Sequence, residues 1–189
     1  MLLEDGTGSG RTARITIENR VATDSISIGM PHHVNQYHGL SFSLFINETP
    51  SGADPSIDTS VGCFFYFKNT SDIEISILTT KAWVESNEYI DLYINDSGTP
   101  IGGNTVTPIN MNLGSGKTAS GTFLSGTNIT GLTKGVFLNR LRIPADNDEH
   151  FSNFISHLLL PKNTILTGYG GSGGIPIEFR IEFYYHGPI

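Results

Sequence analysis

The chain has 189 residues, enough for one domain with a sizeable core, and a formal net charge of −7. Hydrophobic residues make up 38% of it and charged residues only 15%, so the surface must rely on Ser, Thr, Asn and Gly, as suits a protein partly covered by other subunits. The acidic balance without any basic run argues against wrapping nucleic acid, the single cysteine excludes an intrachain disulfide framework, and no stretch reaches the roughly 20 apolar residues that span a bilayer.

The first residues, "MLLEDGTGSG", contain no basic region followed by an apolar stretch, so no secretory signal is expected. Up to residue 24 the chain is glycine-rich or short of large apolar groups. That predicts an extended N-terminal arm over 1–24, lying on something or forming an edge strand, and a single domain over 25–189. Next comes "HHVNQYH", with His32, His33 and His38. Zinc could take two of these, but further ligands would have to come from elsewhere, so hydrogen-bonded or surface histidines are the expectation.

Period-2 alternation then dominates. It marks strands at "ITIE" (15–18), "LSFSLFI" (40–46), "IEISIL" (73–78) and "EYIDLYI" (88–94). The run "CFFYFKN" (63–69) is apolar on both faces: alternation puts Phe64 and Tyr66 on one side, Phe65 and Phe67 on the other. Only one side can look into a sandwich. Cys63 in this run reads as a buried, inert thiol. In "EYIDLYI", Tyr89 and Tyr93 oppose Ile90, Leu92 and Ile94. These strand aromatics could stack on a sugar, but core or subunit-interface roles are the plainer reading.

The stretch "NLGSGKTASG" (112–121) ends like a phosphate-binding loop. That loop needs a glycine five residues before Gly116, where Met111 stands, and a helix after it, where a Gly, Ser and Thr run follows. A turn between two strands is expected instead, with Lys117 exposed. The segment 146–160 is ambiguous. Phe151, Phe154, Ile155, Leu158 and Leu159 have helical spacing, yet a strand entering at Phe154 and turning at Pro161-Lys162-Asn163 is equally readable. The last strand is plain: Ile175, Ile177, Phe179, Ile181 and Phe183 point one way, Glu178, Arg180 and Glu182 the other.

Turn-forming clusters separate these runs at short intervals, which predicts an all-β fold, an antiparallel sandwich or barrel. No catalytic signature emerges. Asp54, Asp58, Asp72, Asp91 and Asp96 lie in or beside loops, and His150 and His157 have no metal-binding frame. The sequons at Asn47, Asn69, Asn95 and Asn128 carry no weight in so Asn- and Thr-rich a chain. The expectation is a non-enzymatic protein without cofactor or bound metal.

Several stretches together resemble the virion structural proteins of tailed bacteriophages: the opening "LLEDGTGSGRTARI", then "FFYFKNTSD", "YINDSGTPIGGNTVTPINMNLGSGKTASGTF", "LLLPKNTILTGYG" and the closing "IEFRIEFYYH". Asn163 stands where the resemblance leads one to expect a glycine after the lysine. The resemblance implies a jelly-roll-like β-sandwich on the outer surface of a capsid, a decoration or cement protein with the major capsid protein as partner. A homotrimer is the expected assembly, with Phe64, Tyr66, Tyr89 and Tyr93 as candidate subunit-interface residues. Arg11, Arg14 and Arg20 are candidate capsid contacts in the arm. The competing reading is a head-fibre or tail-associated module that recognises host glycans.

Overall fold

Residues 2–4, 12–14, 39–51, 62–144, 150–171 and 173–186 are described by the computed structural model. Within them the chain forms fifteen strands and no helix. They are β1 (Leu2–Glu4), β2 (Thr12–Arg14), β3 (Ser41–Glu48), β4 (Cys63–Asn69), β5 (Glu74–Val84), β6 (Glu88–Ile94), β7 (Ser97–Ile101) and β8 (Asn104–Thr105). The rest are β9 (Ile109–Asn110), β10 (Gly121–Ser125), β11 (Thr130–Thr133), β12 (Val136–Ile143), β13 (His150–Leu160), β14 (Ile165–Gly170) and β15 (Ile177–His186). The chain divides into two compact units, Met1–Met30 and Pro31–Ile189. The first contains the antiparallel pair β1–β2, with Arg14 opposite Leu2.

In the second unit the strands form a six-stranded sheet, β12-β6-β14-β4-β10-β8, a five-stranded sheet, β13-β5-β15-β3-β9, and a separate pair, β11-β7. Eight strands carry the plan. β3 pairs with β15, β4 with β14, β5 with β13 and β6 with β12, all antiparallel. The outgoing half of the chain thus runs back along the returning half as one long hairpin. Rolling that hairpin makes β15 also pair with β5, and β14 with β6. This is the jelly-roll arrangement, and the expected all-β sandwich is what the chain forms.

The core lies between the sheets. Phe42, Leu44 and Ile46 of β3 and Ile177, Phe179, Ile181 and Phe183 of β15 alternate into it, as period 2 requires. From the other sheet come Phe65, Phe67, Ile90, Leu92 and Leu166. Phe65 stacks on Phe179 with ring centres 5.1 Å apart, and Phe67 meets Phe183 at 5.0 Å. Gly168 is the cross-strand partner of Phe65, and a Cβ there would lie 2.1 Å from the Phe65 ring, so the ring uses the space a side chain would take.

Strict alternation fails at bulges. Opposite β14, Phe65 pairs with Gly168 and Cys63 with Tyr169, leaving Phe64 as an extra residue. An extra residue reverses the sidedness of what precedes it. Phe64 therefore joins Phe65 and Phe67 in the core, while Cys63 and Tyr66 take the outer face. The expected sharing of a face by Phe64 and Tyr66 is corrected accordingly. A second bulge at Leu78 moves the core positions of β5 from Ile75 and Ile77 to Ala82 and Val84.

The ambiguous segment is strand β13. Between Asn153 and Leu158 its register slips, so that four residues face the single residue Leu78. The helical spacing of its apolar residues coincides with this interruption. In the turn that follows, Thr164 N–H donates to Pro161 O at 3.1 Å, and Asn163 holds φ at 66°. Asparagine tolerates this left-handed conformation, so it can stand where a glycine was expected. His32, His33, His38, Asp54, Asp58, Arg11 and Arg20 lie outside the described residues, as do the strand expected at 15–18 and the side chains of Arg14, His150 and His157.

Candidate functional site

The outer face of the six-stranded sheet brings together three of the sequence's candidate residues, Tyr89, Asp91 and Tyr93. Antiparallel register sets Arg142 opposite Tyr89, Arg140 opposite Asp91, and Phe137 opposite Tyr93. On the next strand Tyr169 faces Asp91, and Thr167 faces Tyr93. Directly opposed residues share a face, so these form one cross-strand ladder.

At one end of the ladder Arg140 grips Asp91 with two bonds, Nε to Oδ1 at 2.6 Å and Nη2 to Oδ2 at 2.7 Å. This forked geometry is the strongest form of ion pair, and it holds the guanidinium still more firmly protonated than usual. The guanidinium carbon also lies 4.1 Å from the centre of the Tyr89 ring. The ring in turn rests on Gly171, where a Cβ would come within 2.2 Å of it. Tyr89 is thereby packed between neighbours of its own chain, Gly171 and Arg140. Beside it opens a groove of about 490 Å³, lined by Asn87, Glu88, Tyr89, Arg140, Arg142, Ile143 and Pro144.

At the other end, the pair β7–β11 accompanies a second apolar cluster. Ile129 and Leu132 are buried with Cys63, Tyr66 and Tyr169, and Tyr93 packs against them. Asp96, only 2% exposed, sits among these groups. Its Oδ2 accepts from Tyr169 Oη at 2.6 Å and Thr167 Oγ1 at 2.8 Å, and its Oδ1 accepts from Gly135 N–H at 2.8 Å. Lys134 Nζ lies 4.4 Å from the Tyr169 ring centre and 5.3 Å from that of Tyr93. Burial first, and the Asp96 charge second, push the Cys63 thiol well above its ordinary range, so it stays protonated and unreactive. Burial likewise raises the phenol of Tyr169 and, less strongly, those of Tyr66 and Tyr93.

The candidate interface residues thus divide. Phe64 is fully buried in the core and Tyr66 is 3% exposed in the second cluster, both within one chain, so neither is available to another subunit. Tyr89 and Tyr93 remain half-buried on the outer face. Several large apolar groups stay exposed, Phe137 beside Tyr93 among them. Ile109, Met111 and Leu113 alternate along β9 and the turn beyond it, and Val136 and Phe137 begin β12. Nothing in the alternation of long strands pointed to the first group, because β9 is only two residues long.

The loop that resembled a phosphate cradle lies between β9 and β10 and is fastened to its own protein. The Asn110 amide donates to Gly39 O at 2.8 Å and to Lys117 O at 2.9 Å, while Ser120 N–H donates to Tyr185 Oη at 2.6 Å. Lys117 is exposed, and a strand follows it rather than a helix. Among the described residues no three His, Cys, Asp or Glu side chains come together as a metal site. Of the single aspartates, Asp72 pairs with Lys162 at 2.5 Å. No family model, curated protein or solved structure matches this chain.

Proposed function

We propose that this chain is a non-enzymatic structural protein of a tailed-phage virion, decorating the outer surface of the capsid as a cement protein and assembling as a homotrimer. The observation that carries this reading is the apolar edge of the five-stranded sheet. Ile109 is 60% exposed, Met111 50% and Leu113 89%, on and beyond the outermost strand β9. β9 is itself too short to template a further strand, but a contiguous apolar surface left open to water marks a place for another chain to cover. Here the cover is a neighbouring subunit or the capsid protein. The low share of charged residues and the resemblance carried by the turn and strand motifs support the same reading. So does the use of ionisable groups as framework, with Asp91 clamping Arg140 and Asp96 anchoring Gly135. The arm with Arg11, Arg14 and Arg20 is the second proposed capsid contact.

Imaging of particles carrying the labelled chain tests this. Decoration predicts copies over the whole capsid lattice. A few copies confined to the tail or to one vertex would overturn it in favour of a tail-associated module.

A further inference from the structure

We propose that two apolar edges of the sandwich bind each other between copies of the chain, head to tail, with Met111 and Leu113 of one copy seated on Val136 and Phe137 of the next. This contact rests on the trimer reading above and specifies which surfaces meet.

Topology puts the two surfaces on opposite sides of one chain. β12 is outermost in the six-stranded sheet and β9 in the five-stranded sheet. Across the core β12 packs over β5, and β10 packs over β3, the neighbour of β9. The β12 end of one sheet therefore lies over the β5–β13 end of the other, and β9 lies at the far edge. Ile109, Met111 and Leu113 are exposed at that far edge, while Val136 and Phe137 are 63% and 51% exposed at the near one.

The two surfaces differ in form. Leu113 stands at the tip of a braced turn: Asn110 Oδ1 accepts Asn112 N–H at 2.8 Å, Asn110 Nδ2 donates to Ser115 Oγ at 2.7 Å, and Ser115 N–H donates to Asn112 O at 3.0 Å. It is a projecting knob held in place before association, which lowers the ordering cost of binding. Phe137 instead meets Tyr93 edge-on with ring centres 5.6 Å apart, so part of its ring is covered by its own chain and the remainder, with Val136, offers a flatter seat. Two copies meeting about a two-fold axis would set knob against knob and leave the other edge of each copy open. Head-to-tail contact uses both edges of every copy and can close into a ring, in which releasing one copy breaks two contacts. Ring closure counts here because two or three side chains fall short of the roughly 800 Å² that each partner of a stable interface hides.

The test is sedimentation of full-length chains, singly and mixed. One variant carries Met111→Asp and Leu113→Asp, the other Val136→Asp and Phe137→Asp, so each keeps one edge intact. The expected result is a trimer for the parent and a monomer for each variant alone. An equimolar mixture should form a complex of two chains and nothing larger, because the intact β12 edge of the first takes the intact β9 edge of the second and both outer ends are blocked. Val136→Asp alone replaces the second variant if circular dichroism shows that losing the Phe137 ring upsets the fold. Mixed variants that stay monomeric while the parent assembles would overturn the head-to-tail contact and leave the trimer standing. So would either variant that keeps the parent's size. A parent that is monomeric at high concentration would overturn the trimer and this contact together.

Discussion

Tyr185 shows how one side chain ties a loop to the core. Its ring packs edge-on against Phe42 at 5.6 Å, and its hydroxyl donates to Ser120 O at 2.7 Å while accepting from Ser120 N–H at 2.6 Å. Burial pushes its phenol up to about 12 from an ordinary 10.0. A folded-state value above the unfolded one means that the folded protein retains a proton the unfolded chain has lost. Stability is therefore complete below pH 10 and declines as pH rises toward 12. Cys63 and Tyr169, also raised by burial, act in the same direction, and the thiol extends the window down to about pH 9. Urea unfolding at a series of alkaline pH values should show this decline. Tyr185→Phe should lose about 1–3 kcal/mol at neutral pH and show a shallower alkaline slope. An unchanged slope would mean that Tyr185 does not hold its proton more tightly in the fold.

At the scale of elements, the pair β7–β11 answers a problem that the aromatic strand β4 creates. Tyr66 on the outer face of β4 has to be kept from water, and Ile129 and Leu132 of the excursion between β6 and β12 do this. Asp96 fastens the arrangement by accepting from Gly135 on one side and from Thr167 and Tyr169 of β14 on the other. Removing the carboxylate leaves buried hydroxyls without their acceptor. Asp96→Ala should then cost more than about 3 kcal/mol in chemical unfolding and expose apolar surface that binds a hydrophobic dye. If the variant unfolds like the parent and binds no more dye, the hairpin is held by its leucine and isoleucine alone.

For the whole molecule, burial of Phe64 and Tyr66 within one chain changes where assembly must be sought. Among the large apolar residues left exposed, Ile109, Met111 and Leu113 lie on or beyond β9, and Val136 and Phe137 on β12, both outermost strands of their sheets. Along β12, joining satisfies backbone groups as well as side chains, so a subunit meeting there gains on both counts. The parent chain is expected to sediment as a trimer, and the double variant Met111→Asp, Leu113→Asp as a monomer with an unchanged circular dichroism spectrum. A parent that remains monomeric at high concentration would sink the trimer. A trimeric double variant would move the interface away from β9.

The amino-acid pattern alone determined the all-β class, the buried faces of β3, β6 and β15 and the turn after β9, because each follows from period-2 alternation or from local turn chemistry. The inert burial of Cys63 was readable for the same reason. Sidedness at Phe64 was not, since it depends on a bulge opposite Gly168, and a bulge is a property of two paired strands rather than of one. The strand character of β13 was likewise settled only by its pairing with β5, which overrides helical spacing. The groove lay beyond reach too. Asn87 and Tyr89 are separated from Arg140 and Arg142 by some fifty residues of chain, and only the antiparallel register of β6 with β12 sets Tyr89 beside Arg142.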